Sequence, residues 1–199
     1  MPTLTLASTS PARKKLLTEA GIAFRDVPPG VDEELLTAQR QPQTACELTS
    51  LLARAKAVAV ASKIAKGLVL GCDSALELDG NILGKPLEPQ VAIDRWKDMR
   101  GRWGTLHSGH HLIDTVSGEE TTLCTETRVL FAQLSDEEIE RYVATGEPLQ
   151  VAGGFTIDSI GGGFIERIDG DYHTVVGLSL FGLRSMCQRL GVDYQDLWR

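Results

Sequence analysis

Apolar and polar positions along the chain switch repeatedly between a period of two and a period near 3.6, so strands and helices alternate from one end to the other. Leu4–Ala7 reads as a short edge-to-core strand. Ser10-Pro11 places a capping side chain before a proline at the first helical position, and Gly21 closes that helix. Thr44-Ala-Cys-Glu47 is a capping box. Leu48, Leu51, Leu52, Ala55 and Val58 follow at helical spacing, predicting a helix that buries this stripe and ends at Gly67. Leu68–Cys72 is a continuous apolar run, the pattern of a strand buried on both faces. Asp79-Gly80 predicts a hairpin within 77–82, and 90–100 has helical spacing. His110–Thr115 and Thr121–Phe131 read as strands joined around Gly118. Ser135-Asp-Glu-Glu138 is a second capping box, whose helix stops at Gly146 ahead of Pro148. Phe164–Ile168 reads as a strand ending at Asp169-Gly170, and a last helix covers about 178–190.

This alternation favours an α/β or α+β sheet with helices packed on it. No internal repeat appears, and no Pro/Gly/Ser linker divides the chain. At 199 residues it fits one ordinary domain spanning 1–199, or one core with a small appendage.

Composition narrows the classes. The chain is 42% hydrophobic and 24% charged, as in a soluble globular protein. Its formal charge of −7 disfavours a role coating nucleic acid. The charge is uneven: residues 1–66 carry nine basic and six acidic side chains, and 67–199 carry eleven and twenty-one. A basic segment in an acidic protein suits a small anionic ligand. Cys46, Cys72, Cys124 and Cys187 form no CxxC, so four reduced thiols in or near the core are expected, without a disulfide framework or zinc site. Met-Pro-Thr-Leu-Thr-Leu-Ala lacks the regions of a signal peptide, and no apolar run approaches the ~18 residues of a membrane span. A cytoplasmic protein is expected.

Candidate chemistry starts where a local rule is broken. Arg13, Lys14 and Lys15 crowd positive charge into the start of the first helix, where the dipole favours acidic groups. An anion held there by Ser8, Ser10, amide N–H groups and a cation would account for this; otherwise the side chains splay into water. Val31-Asp-Glu33-Glu34 is a solvated loop or helix start, or a source of carboxylates for a hard divalent cation. Asp73 follows the buried strand directly, at the carboxyl end where open α/β sheets place ligands. There it would bind metal, take a proton from an attacking water, or merely cap the next turn. Lys56 lies one turn from Leu52 and leans toward the buried face, where a lysine either snorkels to the rim, the commoner case, or reaches into a cleft. Lys85 sits in Gly-Lys-Pro, read either as a stiff turn fit to hold an ammonium against a phosphate or as the site of an ordinary turn lysine. The absence of GxxxxGK[ST] excludes a P-loop. Gly153-Gly154 and Gly161-Gly162-Gly163, around Phe155–Asp158, serve either close ligand approach or tight turns. His110 and His111 point to opposite strand faces and cannot chelate one metal easily. Trp96, Trp103 and Trp198 read as packing residues.

Together these segments resemble the Maf (septum-formation) family. The resemblance is carried in order by Leu6-Ala-Ser-Thr-Ser-Pro11, Val31-Asp-Glu33, Ala53-Arg-Ala-Lys56-Ala, Gly71-Cys-Asp73-Ser and Ile82-Leu-Gly-Lys85-Pro. It continues through Leu134-Ser-Asp-Glu-Glu-Ile139, Gly146-Glu-Pro148, Ala152-Gly-Gly-Phe155 and Val176-Gly-Leu178. It implies an α/β fold like that of inosine triphosphate pyrophosphatases: an elongated mixed sheet flanked by helices, with a cleft between two lobes. It also implies hydrolysis of nucleoside triphosphates, including non-standard or modified ones, to monophosphate and pyrophosphate with Mg²⁺ or Mn²⁺. By motif, Asp73 is the catalytic proton acceptor and a metal ligand. Ser8, Arg13, Lys56 and Lys85 handle phosphates, and Glu33 binds metal or positions water.

Three departures touch the family's base-selecting places. Ala12 stands where an arginine is common, Cys72-Asp73-Ser74 replaces Ala-Asp-Thr, and Asp158 replaces the Gln frequent in members acting on dTTP and UTP. The chain matches neither that set nor the 7-methyl-GTP branch, so a changed base preference is expected, with Ala12, Ser74 and Asp158 as its determinants. The partner is a nucleoside triphosphate, with no nucleic acid and no membrane, and a homodimer stays open. The rival reading is a nucleotide-binding regulator of septum formation acting without essential catalysis; Asp73, Lys56 and Lys85 argue for the enzyme.

Overall fold

A computed structural model describes residues 3–199. Met1 and Pro2, on which the signal-peptide reading partly rests, lie outside the described residues. The elements in order are β1 (Leu4–Ala7), α1 (Pro11–Glu19), β2 (Phe24–Asp26), α2 (Glu33–Arg40), α3 (Ala45–Ala61), β3 (Leu68–Leu78) and β4 (Asn81–Leu83). Then come α4 (Pro89–Met99), β5 (Trp103–Asp114), β6 (Glu120–Phe131), α5 (Asp136–Ala144), β7 (Ile165–Gly170), α6 (Tyr172–Val176) and α7 (Leu180–Arg189). Helices flank a mixed seven-stranded sheet of order β2-β1-β3-β5-β6-β7, with β4 paired to β3. The chain forms two compact units. One comprises residues up to Asp73 with 108–125 and 177–199, and the other comprises 74–107 with 126–176. Among the described residues no helix is long and apolar enough to cross a membrane.

In the first unit β1 runs parallel to both β2 and β3, so all four of its side chains are buried. Its helix α3 departs from the predicted stripe. The buried positions are Ala45, Thr49, Leu52, Ala53, Lys56, Ala57 and Val60, whereas Val58 is exposed. The reason is the surface beneath. A Cβ on Gly71 of β3 would stand 2.1 Å from the Ala53 carbonyl oxygen, and one on Gly109 of β5 would stand 2.3 Å from the Thr49 carbonyl carbon. Backbone meets backbone there, so the contact face must be small, and the larger leucines turn aside. The helix ends at Ala61, short of Gly67. Thr44 caps it as predicted, but Glu47 accepts from the Gln43 N–H rather than that of Thr44.

The second unit has an aromatic core. Trp96 meets Phe131, Tyr142 and Phe164 edge-on at 5.5, 5.4 and 6.0 Å, and its indole N–H donates to the Gly154 carbonyl at 2.8 Å. That donor placement is what a buried tryptophan needs. The capping box at Ser135–Glu138 is complete, and Asp79-Gly80 turns the β3–β4 hairpin with positive φ at both residues.

Strands β3 and β5 run longer than predicted. β5 begins at Trp103, and its stretch Leu106–Ile113 is buried throughout, polar residues included, so no alternation marks it. His110 and His111 do face opposite ways. His110 accepts from the Ser179 N–H at 2.9 Å, while His111 lies 2.7 Å from the Thr122 hydroxyl. The expectation of four separate thiols is corrected: Cys46 and Cys124 form a sulfur–sulfur pair with Cα atoms 5.9 Å apart, within disulfide range. Folding unites residues 78 positions apart, a pairing that spacing cannot reveal. Cys72 and Cys187 are free and buried.

Gly71→Ala is expected to destabilise the protein by about 2 kcal/mol or more, since the added methyl meets rigid backbone. Gly163→Ala, with open space at its Cβ, should stay within about 1 kcal/mol of the parent. Urea denaturation of both variants checks this pair.

Candidate active site

Asp73 is not at the end of its strand, as the sequence reading placed it, because β3 continues to Leu78. It stands instead just past the end of the parallel ladder, whose last pair is Ala7 with Gly71. Where β1 leaves off, the Asp73 side chain gains an opening beside β3, with 14% exposure. The deep seating of α3 brings Lys56 to this spot. Its Nζ lies 2.6 Å from Asp73 Oδ1 and 2.9 Å from Glu33 Oε1, with the lysine side chain only 8% exposed. Glu33 is the first residue of α2, whose start is fixed by Asp32 accepting from the Leu35 N–H at 2.9 Å. The acidic cluster is thus a capped helix start that sends one carboxylate to the buried lysine.

The basic turn of α1 resolves into distinct partners. Arg13 does not splay into water: it is buried, and its Nε donates to the Gly177 carbonyl at 2.8 Å. Its Nη1 lies 3.4 Å from the buried Ser8 hydroxyl, which also accepts from the Ser10 N–H. Lys14 pairs with Asp26 on β2. Ser10 caps the helix through the Arg13 N–H. Ala12, the second residue of α1, is half-buried beside Arg13.

These charges set the proton chemistry of Asp73. Burial pushes its carboxyl above the usual range; Lys56 and Arg13 pull the other way, and Glu33 adds to the rise. The neighbouring Cys72 thiol is pushed up by burial to about 11, so it stays protonated and inert. The first unit therefore unites Ser8, Arg13, Glu33, Lys56 and Asp73. It offers two carboxylates converging on one cation beside a buried guanidinium. Such a group can hold phosphates, take a proton, and supply oxygen ligands.

Ser74, Lys85 and Asp158 belong to the second unit. Ser74 follows Asp73 on β3. Lys85 is exposed on an irregular stretch after β4, not in a tight turn. The stretch is braced by Arg95, which donates to the Gly84 carbonyl at 2.7 Å, and by the Gly153 N–H at 3.2 Å. Asp158 is half-buried in the segment between Phe155 and Ile160. Glu147 organises that segment, accepting from Tyr142, Thr156, Ile160 and Gly161. Burial works against its ionisation, but hydrogen bonds from Thr156, Gly161, Ser159 and Tyr142 outweigh it and hold the carboxyl down at about 2. Sequence reasoning passed over Glu147 and the Gly177 carbonyl. Gly146-Glu-Pro reads as a helix stop and as part of the family resemblance, neither of which gives its carboxylate a role, and Gly177 lies 164 residues from Arg13.

The model of the Maf-like protein family matches residues 3–190, and the chain belongs to that family. A protein of Salinispora tropica named nucleoside triphosphate pyrophosphatase is 52% identical, the match covering 98% of this chain and 87% of the relative. One of the same name from Streptomyces coelicolor is 50% identical over 98% of this chain and 94% of its own, and one from Synechocystis is 47% identical over 99% of each. Among solved structures, the Ham1 protein of Staphylococcus aureus aligns with a TM-score of 0.42 at 16% identity, covering 65% of this chain and 72% of that one.

Lys56→Met leaves two carboxylates without their shared cation. A loss of about 3 kcal/mol in urea denaturation at pH 7 is expected, of which Asp73→Asn in the same chain should restore a large part. Glu147 is held below its ordinary value of 4.5, so its contribution is full above that value and fades as pH falls toward 2. Glu147→Gln should therefore flatten the acid branch of the stability curve between those limits, measured by thermal melts across pH.

Proposed function

We propose that this chain hydrolyses nucleoside triphosphates to the monophosphate and pyrophosphate. The observation that carries the reading is Lys56 lodged between Asp73 and Glu33, in a chain about half identical to proteins bearing the pyrophosphatase name. Water attacks the α-phosphorus, the new P–O bond forms as the bond to the β-phosphate oxygen breaks, and pyrophosphate leaves. Asp73 orients the water and takes its proton, a task suited to a carboxyl that burial makes more basic. Lys56 and Arg13 neutralise phosphate oxygens, and Ser8 adds a hydroxyl beside the guanidinium. Lys85 takes the leaving phosphates.

The donor set fits a hard divalent cation. Two carboxylates from different elements already converge on one positive centre, and oxygen is the ligand such a cation prefers. Glu33 and Asp73 would hold it, and when bound it supplies further neutralisation of phosphate charge. Ala12, Ser74 and Asp158 select the base. An aspartate at 158 accepts hydrogen bonds only, where glutamine both donates and accepts, so the preferred base presents an N–H at that point. The substrate is a free cytoplasmic nucleotide and not a nucleic acid.

Pyrophosphate release from canonical and modified nucleoside triphosphates, with Mg²⁺, Mn²⁺ or chelator, tests the reading. Release is expected with either metal and is abolished by chelator. Asp73→Asn should lower kcat by about 10²–10⁴ with little change in KM. A folded, nucleotide-binding protein that releases no pyrophosphate would move the weight to the regulatory role.

A further inference from the structure

The segment 155–159 has no helix or strand of its own, yet it carries Asp158. What shapes it is a single carboxylate. Glu147 Oε1 accepts from the Thr156 hydroxyl at 2.5 Å, the Gly161 N–H at 2.9 Å and the Tyr142 hydroxyl at 3.0 Å, while Oε2 accepts from the Ile160 N–H at 3.2 Å. Thr156 lies on one side of Asp158, and Ile160 and Gly161 on the other, so the segment is gathered around Glu147 with Asp158 between its anchor points. Ser159 adds a further hydrogen bond; every partner donates, and an ionised carboxylate is acceptor-only, so no neutral side chain of similar size can serve them all.

The flanking glycines belong to the same construction. A Cβ on Gly161 would stand 2.4 Å from the Tyr142 hydroxyl, and one on Gly162 would stand 2.5 Å from the Ile157 carbonyl oxygen. These glycines let the segment fold tightly on itself and on Tyr142. Tyr142 is also part of the aromatic core, stacked edge-on against Trp96 and Phe164. The carboxylate thus ties an irregular segment to a rigid wall.

We propose that Glu147 is a positioning residue for base selection, holding Asp158 where it meets the nucleobase. The inference rests on the reading of Asp158 as a base-contacting residue. Glu147 acts through the segment and takes no part in the phosphate chemistry.

The test measures kcat and KM by pyrophosphate release over a panel of purine and pyrimidine nucleoside triphosphates. The variants are Glu147→Gln, Thr156→Val, Asp158→Ala and the Glu147→Gln/Asp158→Ala pair, each shown folded by circular dichroism. Glu147→Gln is expected to compress the ratio of kcat/KM between the best and poorest nucleotides about tenfold, as loss of an aligned hydrogen bond would. The change should lie in KM for the preferred nucleotide, with kcat within about threefold. Thr156→Val should act in the same direction, and the pair should compress the ratio no further than Asp158→Ala alone. If Asp158→Ala changes the preference while Glu147→Gln and Thr156→Val leave it intact, or slow all nucleotides by one common factor, the positioning role is overturned and the base contact stands. Should Asp158→Ala leave the preference unaltered, the base contact itself is wrong and the positioning role falls with it.

Discussion

The approach of α3 to the sheet is the constraint on which the first unit depends. Gly71 and Gly109 leave two neighbouring strands without side chains at the point where Ala53 and Thr49 pass over them. Because the gap is closed to backbone contact, the helix is rotated so that its small residues face inward. That rotation carries Lys56 to the buried side, one turn beyond Leu52. A helix riding higher on ordinary side chains would bury its leucine stripe and leave the lysine farther from Asp73. Packing and chemistry are therefore set by the same two glycines.

The cluster that results is poor for stability in isolation and suited to the proposed function. Removing a lysine and an aspartate from water costs several kcal/mol per ion, offset here by short contacts to two carboxylates. The raised Asp73 carboxyl records the part of that cost left uncompensated. Under the proposed function, a phosphate-laden substrate would give Lys56 and Arg13 a stronger partner and leave Asp73 to act on water. Active sites commonly keep such locally unfavourable charge for this reason. The second unit solves an opposite problem with Glu147, a carboxylate so well supplied with donors that it stays ionised far into acid.

Much of this could be read along the chain where the signal is local. Ser10-Pro11, Thr44 and Ser135 marked helix starts because a cap acts within three residues. Asp73 and Lys56 stood out because a charged residue beside a buried run needs a reason. The α3 stripe misled because hydrophobicity alone prefers Leu48 and Leu51 inside, while the glycines that decide otherwise lie on strands distant in sequence. The same distance hid the Cys46–Cys124 pair and the carbonyl that orients Arg13. β2 was missed because three residues are too few to show a period, and Glu147 because a helix-stop motif conceals a half-buried acceptor.

The tie between Arg13 and Gly177 also bears on how the molecule is made. The first unit draws its β1 and α1 from the opening residues and its α7 from 177–199. Ala23 and Arg199 add backbone bonds, to Leu197 and Gly21 respectively, that join the two stretches. Domains fold as the chain emerges from the ribosome, N-terminal parts first. Here β1 and α1 emerge long before α7 does. Arg13 is translated before the second unit, and its guanidinium has no carbonyl to rest on until Gly177 has been added. All residues of the second unit are in hand by Val176, so during synthesis the turn that carries Arg13 is made before that unit and finished after it.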